Sequence, residues 1–137
     1  MPRRLLLDSN ILIAASQGRV DMRAVVADYD DVLTSVVCEI EVLGFLFPSI
    51  EEEATARRAV AATDVVPVTA DVAAYAIAYR KLRKVALPDA VILATARAQG
   101  ADLLTENTAD FRGLDPLVRV WSLADLPAYP PAPNAPA

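Results

Sequence analysis

Short apolar runs alternating with amphipathic stretches of helical length are what most narrows the fold open to this 137-residue chain. Residues 4–7, 32–34, 65–68, 103–105 and 118–121 read as strands, each a few mostly apolar residues bounded by turn or capping residues. Between them, residues 11–16, 21–29, 35–47, 49–62, 69–84 and 88–100 read as helices, with one further turn of helix at 109–111. The helix starts carry their own signals. Asp8-Ser9-Asn10 closes the first strand as a cap, Ser35 and Thr69 cap two more helices, and Ser49 with Glu52 forms a capping box. Pro88 suits a first helical turn and Gly100 a helix end. Strands joined by helical crossovers run parallel, so the predicted architecture is a three-layer α/β/α sandwich around a mostly parallel sheet of about five strands. Residues 1–126 are expected to form one domain. Residues 127–137, with five prolines in eleven positions, are expected to be a disordered or loosely docked tail.

Two absences narrow the chemistry. The chain has no histidine and a single cysteine, Cys38. That removes Ser-His-Asp and Cys-His hydrolases, imidazole acid–base pairs, His-ligated metals, internal disulfides and Cys-based zinc sites. What remains is carboxylate, Lys, Arg, Tyr and one thiol, so a metal site would be all-oxygen and would favour a hard cation such as Mg²⁺ or Mn²⁺. No apolar run approaches the roughly 20 residues that span a bilayer. Arg3 and Arg4 precede Leu5, Leu6 and Leu7, but Asp8 and Asn10 interrupt the run at once, against a secretory segment. A cytoplasmic location is expected. The net charge of −5 opposes non-specific coating of nucleic acid without excluding a local basic patch. Glu51, Glu52 and Glu53 form an acidic block, and Arg80, Lys81, Arg83 and Lys84 a basic one; taken alone, each reads as a solvated helix face.

Four carboxylate positions draw the chemistry together. In open parallel sheets the functional crevice lies at the carboxyl ends of the strands. Asp8 follows the first strand, and Asp110 lies a short turn beyond the strand at 103–105. Asp89 occupies the first turn of its helix, where the dipole favours an acid, yet shares a stripe with Ile92, Leu93 and Ala96 that points it toward the core. Glu41 sits mid-helix among Val37, Cys38, Gly44 and Phe45, an apolar surround in which a glutamate is costly. Glu39 is surrounded almost as well, and periodicity does not choose between the two. Asp8, Asp89 and Asp110 each have, taken alone, an ordinary reading as a cap, turn or first-turn residue. Together they need neutralising, because two carboxylates ~4 Å apart repel by about 4 kcal/mol at an effective dielectric of 20. Protons or a divalent cation would do so, and a cation there can activate water and stabilise charge on a phosphodiester.

Leu7-Asp8-Ser9-Asn10, then Ser35 leading to Glu41-Val42-Leu43-Gly44, resembles the first half of a PIN domain. Leu87-Pro88-Asp89-Ala90 with Ala94-Thr95-Ala96, then Leu104-Thr105-Glu106-Asn107 and Asp110-Phe111, resembles the VapC-type toxins of bacterial toxin–antitoxin pairs. The likeness runs over residues 4 to 121. It implies a PIN-like α/β/α fold and a Mg²⁺- or Mn²⁺-dependent endoribonuclease that hydrolyses RNA phosphodiesters. It also implies four acidic positions at Asp8, Glu41, Asp89 and Asp110, with metal held by Asp8, Asp89 and Asp110. It selects Glu41 over Glu39 through the six-residue step from Ser35. Asn10 and Thr105 match supporting polar positions, and Asn107 a residue shaping the turn before Asp110. The resemblance further implies a homodimer and a cognate antitoxin laid against the apolar early helices, for which Val42, Leu43, Phe45, Leu46 and Phe47 offer a surface. The position after Thr105 is often basic in the family and here is Glu106, which leaves Arg80, Lys81, Arg83 and Lys84 as candidates for holding an RNA backbone. The alternative is a PIN-fold binding or interaction module without catalysis. Two phosphotransfer folds fit less well: Asn10 stands where a haloacid-dehalogenase phosphatase needs a second aspartate, and Arg3-Arg4 where a receiver domain needs an acidic pair.

Overall fold

The structure is a computed structural model, described here for residues 2–128. Its sheet has five strands in the order β3-β2-β1-β4-β5, all parallel: β1 Arg4–Leu7, β2 Asp31–Ser35, β3 Asp64–Val66, β4 Ala101–Leu104 and β5 Val120–Trp121. β1 lies in the middle, its Leu6 in register with Leu33 on one side and Leu103 on the other. A strand covered on both faces reads as a continuous apolar run. Leu5, Leu6 and Leu7 are accordingly all but fully buried, each contributing about 2 kcal/mol of burial.

The crossovers sort the helices into two layers. From β1 the chain moves outward to β2 and β3 through α1 (Ser9–Ser16), α2 (Met22–Val26), α3 (Val36–Leu43) and α4 (Ile50–Ala61). It then returns across the sheet to β4 through α5 (Ala70–Leu82) and α6 (Leu87–Gln99), and reaches β5 by way of α7 (Thr108–Phe111). Right-handed crossovers made in opposite directions put the two groups on opposite faces. The direction reverses between β1 and β4, which makes their carboxyl ends the switch point of the sheet. Within the second layer α6 is the central element. Every residue from Ala90 to Ala96 is buried, and the one hydroxyl among them, Thr95 Oγ1, donates to the Val91 carbonyl at 2.7 Å. A buried acid, Asp115, ties α5 and α6 to the loop after α7 by accepting from Tyr79 and Arg97.

Several element ends differ from the sequence reading. α1 starts at Ser9, two residues early, because the Asp8 carboxylate accepts from the Ser9 N–H. α2 is much shorter than 21–29: Asp30 and Asp31 donate their N–H groups to the Arg3 carbonyl. α3 stops at Leu43 instead of continuing to 47, where Gly44 weakens the helix and Pro48 disfavours helical backbone at Phe47. β3 ends at Val66 because Pro67 cannot donate to a ladder. β4 begins and ends earlier than 103–105, and β5 keeps only the last two residues of 118–121. A 3₁₀ turn, Leu123–Ala128, carries regular backbone two residues into the segment expected to be tail; residues 129–137 lie outside the described residues. No helix among the described residues is long and apolar enough to cross a membrane.

Candidate active site

Asp8 emerges from the carboxyl end of β1 at the switch point, and its own N–H extends the ladder to the Leu104 carbonyl at 3.0 Å. Its carboxylate is 5% exposed and well served. Oδ1 accepts from the Ser9 N–H at 2.7 Å; Oδ2 accepts from Thr105 Oγ1 at 2.7 Å and from Asn10 Nδ2 at 3.4 Å. The Thr105 hydroxyl accepts in turn from the Asn107 N–H at 3.0 Å and from Asn10 Nδ2 at 3.4 Å, and Asn10 Oδ1 accepts from the Glu106 N–H at 3.1 Å. The ends of β1 and β4 are thus stitched together through side chains. Burial still pushes the Asp8 carboxyl above its ordinary range; the bonds from Thr105 and Ser9 oppose the shift, and the charge of Glu41 adds to it.

Asp89 differs in having no such support. It lies half-buried in the first turn of α6, and its carboxylate accepts no hydrogen bond and joins no ion pair among the described residues. Burial raises its pKa, and the charges of Asp8, Asp110 and Glu41 raise it further, although the helix N-terminus favours the anion. Three carboxylates from three other elements therefore act electrostatically on one point. Asp110 stands exposed on α7. Glu41 is exposed as well, and here the sequence reading is corrected: the apolar residues around it on α3 do not enclose it. Its carboxylate leaves the core and accepts from Ser9 Oγ at 2.8 Å. No three acidic groups among the described residues are close enough together to hold a metal ion as they stand. The four carboxylates share a field without touching, an all-oxygen donor set whose chemistry suits a hard cation.

The remaining predicted residues separate. Asn107 works through its backbone, and its side chain caps nothing. In the basic block, Arg80 Nη1 donates to the Val85 carbonyl at 2.8 Å and closes the end of α5, whereas Arg83 Nη2 donates to the Asp110 carbonyl at 3.1 Å. Lys81 and Lys84 are exposed. Glu106 turns from the carboxylates and accepts from the Leu123 N–H at 2.8 Å. On the apolar side, Val42 is buried and Leu43 half-buried in the core, while Phe45 and Leu46 are 64% and 93% exposed. Phe45 and Phe47 meet edge to face at 5.4 Å. With Ile13, Val42, Pro48 and Ala56 they line a groove of about 580 Å³ whose walls also include Glu41, Glu51 and Glu52.

Two residues of this site were not singled out from the sequence. Ser9 holds both Asp8, by its N–H, and Glu41, by its hydroxyl; its place between Asp8 and Asn10 was the only available signal. Cys38 lies buried with its sulfur 3.9 Å from Asp8 Oδ1. Burial first, and the nearby charges of Asp8 and Glu41, push its thiol up to about 11, so it is no nucleophile near neutral pH.

The family model for the PIN domain matches residues 5–115. Among solved structures, a toxin–antitoxin complex from Klebsiella pneumoniae is 32% identical, over 83% of this chain and 94% of that one, with a TM-score of 0.69. VapBC2 from Rickettsia felis bound to a promoter DNA fragment shares the fold at 17% identity, with a TM-score of 0.73 over 87% of this chain and 98% of that one. DNA-bound VapBC from Salmonella typhimurium does so at 18%, with a TM-score of 0.72 over 88% and 98%. No curated protein matches the chain.

Proposed function

The chain belongs to the PIN-domain family, and from that membership we propose that it is a metal-dependent endoribonuclease, the toxin of a toxin–antitoxin pair, hydrolysing RNA phosphodiesters with metal-activated water. The observation that carries this reading is the convergence at Asp89, where a carboxyl already raised by burial faces the charges of Asp8, Asp110 and Glu41 as well and has no cation or hydrogen bond to relieve it among the described residues. Asp8, Asp89 and Asp110 would hold Mg²⁺ or Mn²⁺, which supplies water activation and charge neutralisation when bound. The chain's own residues prepare the place. Thr105 and Asn10 fix the Asp8 carboxylate, as hydrogen-bonded partners fix ligands in metal sites. Ser9 turns Glu41 toward the same rim, where it completes the acidic set. Arg83, bonded to the backbone of Asp110, with Lys81 and Lys84 exposed on the same segment, would hold the RNA backbone. Arg80, committed to the end of its own helix, is the weakest of the four for that role.

The largely apolar groove that Glu41 helps to line would receive a segment of the cognate antitoxin, with Phe45, Leu46 and Phe47 as contacts for it or for a second copy in a homodimer. A protein of this kind would act in the cytoplasm. The test is cleavage of pooled cellular RNA by purified protein in Mg²⁺, Mn²⁺ or EDTA, beside Asp8→Asn. Discrete products that need metal and disappear in the variant are expected. Absence of cleavage with every metal, from folded protein free of an inhibitory partner, would replace this reading with that of a binding module.

A further inference from the structure

Asp110 has an unusual problem of position. It is exposed, and it rides on a helix of four residues whose N-cap, Asn107, makes no side-chain bond. A single turn does not hold itself in water. Phe111, fully buried, pins one point of it, and Arg83 holds the Asp110 carbonyl. The two ends of the segment are fastened elsewhere, both to the C-terminal stretch. At the front, Thr105 N–H donates to the Trp121 carbonyl at 2.9 Å, and Glu106 Oε1 accepts from the Leu123 N–H at 2.8 Å. At the back, Arg112 Nη2 reaches the Val120 carbonyl at 3.2 Å and Asp125 Oδ2 at 2.9 Å, and that same oxygen accepts from the Ser122 N–H at 2.9 Å. Glu106 also donates its own N–H to Asn10, a partner of Asp8. The residues that receive these latches, 120 to 125, lie beyond the stretch that matches the family model.

We infer that the turn formed by β5 and the start of the 3₁₀ segment is a brace that positions Asp110, with Glu106 and the Arg112–Asp125 pair as its latches. This rests on the reading of Asp110 as a metal-holding carboxylate. Glu106 is thereby a positioning residue, its carboxylate needed as an acceptor for the Leu123 N–H and not as a ligand.

The test measures Mn²⁺ binding to the full chain without RNA, from the paramagnetic resonance signal of free Mn²⁺, together with the Tm of the metal-free protein. Glu106→Ala and Arg112→Ala are each expected to weaken Mn²⁺ binding about 2- to 5-fold, the scale of exposed polar contacts, and the double variant about 10-fold. Glu106→Gln keeps an acceptor oxygen and should bind as the wild type does. In an Asp110→Asn background the double variant should cause no further weakening. Should it prove too unstable, Arg112→Lys, which cannot reach both acceptors, gives the same comparison at smaller amplitude. If Asp110→Asn weakens binding while the latch variants lower Tm alone, the brace is overturned and the metal reading stands. If Asp110→Asn itself leaves Mn²⁺ binding unchanged, the metal reading fails and the brace with it.

Discussion

Asp8 and Asp115 are buried to nearly the same degree, 5% and 7% exposed, and their surroundings push them in opposite directions. Burial alone would raise both. At Asp115 it is outweighed: Tyr79 Oη donates at 2.5 Å, the Leu117 N–H at 3.0 Å and Arg97 Nη1 to both oxygens at 2.9 and 3.0 Å, so the carboxyl falls below its ordinary range. The Arg97 guanidinium is itself seated over the Tyr75 ring at 4.9 Å. At Asp8 the hydrogen bonds do not overcome burial, no cation among the described residues answers the charge, and a neighbouring carboxylate opposes it. An acid surrounded by donors and a cation holds elements together. An acid left short of charge compensation among other acids adds nothing of that kind, and on the function proposed above it is where a cation would be held. Exposure does not separate the two; the sign of the neighbouring charges does.

The sharpest way to break this contrast is Asp89→Asn. If the acids at the β1–β4 switch point serve chemistry, cleavage of RNA should fall by about 10²- to 10³-fold, the scale of losing one preorganised electrostatic group, while the metal-free protein becomes more stable. A loss of activity accompanied by a lower Tm would put Asp89 with Asp115 as a structural acid. On the other side, Tyr79→Phe should cost about 1.5–3 kcal/mol of unfolding free energy in denaturant titration, since it removes a buried donor to a carboxylate. Metal binding should be untouched, and an effect on it would mean that the two regions are coupled.

The pH dependence separates them further, with opposite signs. Asp115 titrates lower in the folded state, so its contribution is present above the unfolded aspartate value near 3.8 and is lost as pH falls through the folded one. Asp8 and Asp89 titrate higher when folded, so they lower stability as pH rises from about 3.8 through their folded values. The Tm difference between Asp89→Asn and wild type should therefore be positive at pH 7 and shrink toward zero in acid, as thermal melts across pH would show. A constant difference would mean that charge is not its cause. The smallest effect is expected at the rim. Arg83→Gln should weaken RNA binding a few-fold at low salt and reduce the salt slope by about 0.7, one phosphate contact on a single strand. An unchanged slope would remove Arg83 from the RNA path.

Much of the fold was legible because its signals are local. Three consecutive leucines ended by Asp8, and capping residues at Ser35, Ser49 and Thr69, act on their own few neighbours, and the structure keeps each in that role. Some ends were missed for local reasons, but the two larger errors fell where the rest of the fold intervenes. The 21–29 helix shortens because Asp30 and Asp31 bond Arg3, and Glu41 is exposed although its helical neighbours are apolar. The importance of Asp115 and Ser9 was not visible, since an aspartate before a proline and a serine after an aspartate are ordinary in sequence.

By itself the sequence determined the order and kind of the elements, a core without histidine, and the types of side chain available to a site. Periodicity and capping energies depend on residues within a turn or two, which the chain carries in its local order. The tertiary structure alone decided that Thr105 meets Asp8 across 97 positions, that Glu106 goes to Leu123 and not to the carboxylates, and that the charges of Asp8, Glu41 and Asp110 fall together on Asp89. Burial and charge act through space, and parallel pairing of β1 with β2 on one side and β4 on the other brings those charges to one end of the sheet.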